Sequence, residues 1–557
     1  MNILDLLDAS STAVYEAVDA DANVVDSVTA AGMRSDALHM ADALLAVADP
    51  GDRVFIPPLP GVDFERAFFG AVAAGMIAVP LPKMPKIRSK KLDRIEGVVD
   101  DCTPRVVIGD EQSQQLVSEL FGLAVVPVTA RATMDLAGAQ APVARDPMQP
   151  ALLQYTSGST GSPKGVEVSE FNLITNQQGM SRRCAVRHGT DVVAWLPSFH
   201  DMGLCSMTIM PAVSGARLVR VATDDFIRRP LLWLEAMRGR GDVWSAAPDS
   251  SYRNCVRAKR LVKEFTTDLS GWRFAANAAE PVRESTMLEF EDTFGPYGFS
   301  RLAFQPGYGL AESTVCVSVN SPGTPRRSLR LDNVQLASGV VREVAAEQPG
   351  VDVSACGRPI EGSEVRILDP EAPVPAGEGR VGEICVSGPS NARGYWQNSD
   401  ATRETFTTEF EGRRFLRTGD LGFLSDGEVV ICGRKKDLLI HAGENFYAPD
   451  LEAAGLDGLT TDGTPVVACF QTSDGLVYFC YEAGRGVDEQ EEARNCAGAL
   501  ARIATLYPGP TQVVAVARGQ IPRTTSGKVQ RRQAAAMMER SDFRLVTATK
   551  VPTMGRA

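Results

Sequence analysis

The sequence predicts an α/β protein. A large N-terminal domain of doubly wound α/β sheets carries a small β-rich subdomain, and a smaller α+β domain follows. Three observations lead there. Short β-branched runs alternate with longer helical patterns over the first two-thirds of the chain. Near Cys356 the texture changes to short strands joined by turns, and a charged stretch at 434–437 separates these from a compact remainder. Strand–helix alternation implies parallel sheets with helices on both faces.

In chain order, DRVFIPP (52–58), MIAVPLP (76–82), PRVVIGD (104–110), LAVVPVT (123–129) and DVVAWLP (191–197) read as strands bounded by Pro, Gly or Asp. Residues 63–74 and 91–100 read as helices. The longest apolar run, 67–79, ends at Pro80. It is too short to span a bilayer and reads as a buried helix followed by a strand. ALLQY (151–155) reads as a strand and EFNLITNQQGM (170–180) as a helix. Beyond Cys356, SEVRILD, GEICVSG, RFLRTGD and GEVVICG are short strands of a subdomain at about 356–434. The domains are therefore expected at 1–434 and 435–557, with KVPTMGRA (550–557) as a frayed tail.

A chain of 557 residues is too long for one compact core. Its 57 basic and 69 acidic residues leave a net charge of −12, without basic runs, which argues against a nucleic-acid or anionic-membrane partner. The first residues, MNILDLLDASSTAVYEAVDADANVV, carry acids where a secretory signal carries Lys or Arg. Eleven cysteines without a CxxC pair read as reduced thiols of a cytoplasmic protein.

The stretch YTSGSTGSPKGV (155–166) is the chemically richest. Glycines let backbone N–H groups converge on an anion, hydroxyls add donors, and Lys164 adds charge. Between a strand pattern and a helical one, it reads as a phosphate loop or as a flexible surface turn. It is not a Walker A loop, because Pro163 precedes Lys164 and Gly165 follows it. The G-x-G-x-x-G of Gly377, Gly379 and Gly382 leads into a strand and reads as a turn. Four histidines, none at HExxH spacing, and no Cys/His cluster argue against zinc. No G-x-S-x-G elbow is present.

Five further motifs follow the loop: NAAEPV (277–282), YGLAEST (308–314), RTGDLGFL (417–424), GRKKDLLI (433–440) and IPRTTSGKVQRR (521–532). With GDRVFIPPLPGVDFERAFFGAVAAGMIAVPLP (51–82), this order resembles the adenylate-forming superfamily of acyl-CoA synthetases, nonribosomal-peptide adenylation domains and luciferases. LPSFHDMGL (196–204) resembles its fatty acyl-AMP ligase branch, as does a long segment at 321–350, including SPGTPRRSLRLDNVQLASG, before CGRPI. In that branch the insertion is linked to restrained domain motion and poor CoA use. Two positions depart from the branch. HAGENFYAPDLE (441–452) is closer to CoA ligases, and Ala278 stands where glycine is usual.

The resemblance implies ATP-dependent activation of a fatty or related carboxylic acid to acyl-AMP, with release of pyrophosphate. The acyl group then passes to the phosphopantetheine thiol of an acyl carrier protein, for lipid, polyketide or lipopeptide synthesis. ATP and Mg²⁺ are the implied cofactors, with no nucleic acid and no membrane span. By the same resemblance Thr156, Ser157, Gly158, Ser159, Thr160, Gly161 and Lys164 hold the β- and γ-phosphates, and Glu312, helped by Thr160, takes Mg²⁺. Tyr308 stacks on adenine, Gly309, Leu310 and Ala311 continue that wall, and the backbone of Ala278, Ala279 and Glu280 lines the base. Asp420 accepts the ribose hydroxyls, with Arg434 beside them. Lys528 is the catalytic lysine of a mobile C-terminal domain, and Lys436 the hinge. His200, Asp201, Met202 and Gly203 border the acyl and pantetheine channels, with Asp201 also a candidate local cap. Two alternatives remain at this point. GENFY favours CoA as acceptor. A silent nucleotide- or acyl-binding domain is opposed by the intact Lys528, Glu312 and Asp420.

Overall fold

The computed structural model describes residues 2–8, 11–83, 90–109, 120–129, 141–156, 163–461, 465–484, 489–524 and 527–549. Among these residues the strands form three larger sheets and a separate C-terminal one. The first runs Ala124–Pro127, Val106–Gly109, Arg53–Ile56, Ile77–Pro80, Pro150–Thr156, Lys164–Ser169. The second has eight strands, with Phe304–Tyr308, Trp272–Asn277, Val243–Ala247, Asp191–Ala194, Arg217–Val221 and Val14–Val18 parallel at its centre. The third, from Glu364–Leu368 to Glu428–Arg434, is antiparallel throughout. The expected α/β body with its β-rich addition is therefore the observed one.

The apolar run at 67–79 behaves as its length requires. Helix Asp63–Ala73 buries every residue from Phe64 on, Gly75 turns the chain at φ 67°, and Ile77–Pro80 enters the sheet fully buried. A helix and strand enclosed on all sides read as one uninterrupted apolar segment.

The candidate phosphate loop has a different context from the expected strand–loop–helix. Pro150–Thr156 pairs antiparallel with Lys164–Ser169, closing a hairpin with Thr156 opposite Lys164. The helix starts only at Glu170, at the far end of the second strand, where the Ser169 hydroxyl accepts from the Asn172 N–H at 3.1 Å. The cause is the alternation in KGVEVS: Val166 and Val168 fill the core, while Lys164 and Glu167 stay partly exposed. Residues 157–162 of the loop lie outside the described residues, as does the expected tail at 550–557.

The long segment before CGRPI forms an antiparallel pair, Ser328–Leu331 with Val351–Ser354, around the short helix Asn333–Ala337. Its Leu329, Leu331, Leu336, Val351 and Val353 share a core with Leu421, Phe423, Val430 and Cys432 of the third sheet and with Tyr447 beyond it. Ala337 joins the C-terminal core beside Phe446 and Leu451. The segment is thus packed simultaneously against the third sheet and the C-terminal part.

That part holds the sheet Val467–Gln471, Val477–Glu482, Thr511–Val516, Leu545–Ala548 and helices Ala448–Asp457, Glu489–Ile503 and Arg531–Glu539. Arg531 is bidentate to Glu452 at 2.8 Å and reaches Asp437 at 2.9 Å, fixing the end of the TSGKVQ stretch to the short turn Lys435–Asp437. All eleven cysteines are free thiols, ten of them buried. Among the described residues, no helix is long and apolar enough to cross a membrane.

Gly309 permits the closest backbone approach near the junction of these sheets. A methyl there would lie 1.6 Å from the Val315 carbonyl oxygen. Gly309→Ala is expected to cost about 1–3 kcal/mol of stability by overpacking, read as a lowered thermal unfolding midpoint.

Candidate active site

Parallel strands deliver their functional residues at their carboxyl ends, and three strands of the eight-stranded sheet do so here. Trp272–Asn277 leads to Ala278, Ala279 and Glu280. Phe304–Tyr308 leads to Gly309, Leu310, Ala311 and Glu312. Asp191–Ala194 leads, six residues on, to His200, Asp201, Met202 and Gly203. The hairpin brings Thr156 and Lys164, the third sheet brings Asp420 and Arg434, and the C-terminal part brings Lys528.

Asp420 is the centre of this convergence. It is 4% exposed. Its Oδ2 accepts from the Tyr308 hydroxyl at 2.7 Å, and its Oδ1 pairs with Arg434 Nε at 2.8 Å across neighbouring strands. Burial and then the Asp420 charge push the Tyr308 phenol well above its ordinary pKa, so it stays a donor. The Asp420 carboxylate raises the already high pKa of Arg434.

The turn at 277–280 is held from below by Asp249. This buried carboxylate takes the Asn277 side chain at 3.0 Å, the Arg283 N–H at 3.2 Å and the Thr286 hydroxyl at 2.8 Å. Ala279 lies at φ 72°, a conformation that costs an L-residue about 1 kcal/mol or more. Glu280 accepts from the Ser250 N–H; burial raises its pKa and that hydrogen bond opposes the rise.

Glu312 sits on the turn Ala311–Ser313. Its Oε1 accepts from the Tyr395 hydroxyl at 2.7 Å, leaving Oε2 without a donor among the described residues. The next turn residue but one, Thr314, has φ 66° and ψ −63°, and its hydroxyl is fastened to the Ser390 carbonyl at 2.7 Å. A β-branched residue in that region is strained and is kept there by its surroundings. Lys164 places its Nζ 5.0 Å from the centroid of the same Tyr395 ring. No group of three or more metal-binding side chains occurs among the described residues. One partly exposed carboxylate beside a phosphate loop instead fits Mg²⁺, which takes few protein ligands and completes its shell with phosphate oxygens and water.

Lys528 lines an open cleft. Its side chain is accessible to solvent, yet the protein around it removes enough hydration to lower its pKa. Asp201, Asp420 and Glu280 oppose that shift, and Arg434 adds to it. Asp201 therefore does more than cap. Its Oδ1 accepts the Met202 N–H at 2.7 Å and lies 2.6 Å from His200 Nδ1. Burial would raise the Asp201 pKa, but His200, Lys528 and the Met202 N–H outweigh it and hold it at about 2. Met202 is buried, and Gly203 presses on the Pro197 carbonyl, where a methyl would stand 2.1 Å away. Burial and then Arg434 lower the pKa of Lys436.

The structure thus gathers Tyr308, Asp420, Arg434, Glu280, Asp201 and Lys528 at one cleft, with Lys164 and Glu312 meeting at Tyr395. Ser157, Gly158, Ser159, Thr160 and Gly161 lie outside the described residues. Sequence reasoning passed over Tyr395, Asp249 and Arg531. Tyr395 stands in NARGYWQN between two strand patterns, and an aromatic pair after a glycine was its only signal. Arg531 was visible only as a basic residue after TSGKVQ.

The sequence pattern of the AMP-binding enzyme family matches residues 9–396. The medium-chain-fatty-acid–[acyl-carrier-protein] ligase JamA of Moorena producens is 33% identical over 533 residues, covering 91% of this chain and 89% of the relative. The 4-hydroxyphenylalkanoate adenylyltransferase of Mycobacterium marinum is 35% identical, covering 97% and 92%. A solved structure from the fatty acyl-adenylate ligases of E. coli and L. pneumophila superimposes with a TM-score of 0.86 at 29% identity, covering 97% of this chain and 98% of that one.

The Asp201 shift gives a pH prediction. With a folded pKa of about 2 against about 3.9 in an unfolded chain, Asp201 contributes stability that is fully present above pH ~4 and is lost as pH falls toward 2. Unfolding midpoints measured across that window should fall less steeply for Asp201→Asn than for the wild type.

Proposed function

We infer the reaction from one premise: the chain belongs to the AMP-binding enzyme family. It is an adenylate-forming ligase. In our reading it activates a fatty carboxylic acid. A carboxylate oxygen attacks the α-phosphorus of ATP, the bond to the β-phosphate breaks, and pyrophosphate leaves. The phosphopantetheine thiol of an acyl carrier protein then attacks the acyl carbonyl of the acyl-AMP, loses its proton, and AMP departs. The observation that carries this reading is Lys528. A cation from beyond the hinge stands among Asp201, Asp420 and Glu280, at the carboxyl ends of the large domain's strands.

The physical problem of the first step is repulsion between two anions, so positioning and electrostatic stabilisation dominate. Lys528 supplies a flexible ammonium that can be delivered for the first step and withdrawn for the second. Asp420 offers a ribose diol a carboxylate already oriented by Tyr308 and Arg434. Lys164, with Thr156 and the loop residues through Gly161, would hold the β- and γ-phosphates. Glu312 and Thr160 would hold Mg²⁺, which would offset phosphate charge. The rotation between steps is assigned to Lys436, between domains 1–434 and 435–557. The packing of the 321–350 segment against both parts supports restrained rotation, and with it the carrier protein over CoA as acceptor. The unpaired thiols suit a cytoplasmic enzyme.

Relatives named for medium-chain fatty acids and for 4-hydroxyphenylalkanoates leave the acid open within this class. Incubation with ATP, Mg²⁺, excess CoA and acids from short to long, with aryl-alkanoates included, should yield acyl-AMP with little acyl-CoA by mass spectrometry. Efficient acyl-CoA formation would overturn the carrier-protein reading in favour of a CoA ligase. Absence of both products would favour a silent binding domain.

Lys528→Ala is expected to lower acyl-AMP formation by roughly 10²–10³-fold or more, while ATP binding and the unfolding midpoint persist. Wild-type pyrophosphate release by that variant would sink the assignment.

A further inference from the structure

Residues 390–396 join the parts of the site. They leave strand Gly382–Ser387 of the third sheet and are fastened on two sides. On one side the Ala392 N–H reaches the Glu312 carbonyl at 2.9 Å, and the Ser390 carbonyl receives the Thr314 hydroxyl. On the other, Tyr395 bridges to Val166, and the Trp396 N–H reaches the Gly165 carbonyl at 2.7 Å, beside Lys164. The Tyr395 side chain stands between. Its hydroxyl donates to Glu312, and its face carries the Lys164 ammonium.

Two opposite charges aimed at one space would ordinarily pair with each other. Among the described residues Lys164 and Glu312 form no such pair. Each has a neutral partner in Tyr395 instead, one through a hydrogen bond and one through the ring's negative face. The ring is 8% exposed, with Phe406 edge-on at 5.3 Å, and the Tyr395 N–H is held by the Thr402 hydroxyl at 2.9 Å, so the platform is rigid. Burial and then Glu312 raise the phenol's pKa, which keeps it a donor throughout the working range.

We propose that Tyr395 is a positioning residue of the first half-reaction: it keeps the phosphate-binding ammonium of Lys164 and the Mg²⁺-binding carboxylate of Glu312 from neutralising each other, and holds both ready for Mg·ATP. The inference rests on the nucleotide and metal roles argued above for Lys164 and Glu312.

The test is calorimetric titration of the full chain with ATP, across a series of Mg²⁺ concentrations and without metal, in the absence of any acid. Tyr395→Phe keeps the ring and removes the hydroxyl. It is expected to raise the Mg²⁺ concentration for half-maximal tightening of ATP roughly tenfold or more, with metal-free ATP affinity and the unfolding midpoint unchanged. Tyr395→Leu removes the ring as well and is expected to weaken metal-free ATP binding too. A Phe variant with wild-type Mg²⁺ dependence overturns the proposal. So does loss of metal-free affinity in both variants in step with a lowered unfolding midpoint, which marks a purely structural tyrosine. A wild-type chain that binds no ATP overturns the nucleotide reading itself, and this inference with it.

Discussion

The Tyr308 hydroxyl and the Arg434 guanidinium converge on the buried carboxylate of Asp420, and the cleft is assembled around that contact. Tyr308 ends a strand of the eight-stranded sheet, while Asp420 and Arg434 face each other in the third. One carboxylate therefore sets the relation between two sheets and the entrance to the turn Lys435–Asp437. A buried carboxylate without partners is costly, and removing one of a buried pair typically costs about 3–5 kcal/mol. The arrangement has no cheap alternative, so Tyr308, Asp420 and Arg434 are held in place before any ligand arrives. Lys528, by contrast, has electrostatic neighbours and solvent around it, as suits a group that must come and go.

Strain is confined to the same places. Ala279 and Thr314 adopt left-handed conformations within two residues of Glu280 and Glu312. Asp249 secures the first turn and Ser390 the second. Gly203 and Gly309 occupy sites where a methyl would overlap a carbonyl oxygen. Close approach at these turns brings side chains from distant strands within hydrogen-bond reach, and the large cores behind them supply the stability that local strain removes.

Periodicity and motif order made most of the fold legible. The run at 67–79, the strands around it and the turn at Gly377–Gly382 follow from patterns a few residues long. The hairpin after the candidate phosphate loop was not legible, because KGVEVS is too short to separate from the helix that begins one residue later. The gathering of Tyr308, Asp420 and Lys528 was anticipated through motifs rather than through physics local to each. Tyr395 and Asp249 had no such help. Their importance lies in contacts with residues 28 to 231 positions away, and nothing in their own neighbourhood records those contacts.

The C-terminal part shows how motion can be combined with accuracy. Arg531 follows Lys528 by three residues and clamps Glu452 and Asp437, so the loop bearing the lysine and the turn beside Lys436 are tied into one body. If rotation occurs at Lys436, Asp437 and Lys528 move together, and the lysine's position depends on one backbone angle rather than on a flexible chain. The Asn333–Ala337 helix rests on both sides of that pivot, with Leu336 against the third-sheet core and Ala337 against the C-terminal core. Rotation must separate those apolar surfaces. Each buried methylene exposed costs about 0.8 kcal/mol, so even a small patch weights the equilibrium toward the arrangement seen here, with Lys528 at the cleft. A chain built in this way favours formation of its acyl-adenylate over rapid transfer, and leaves release of the lysine to whatever the acceptor contributes by binding.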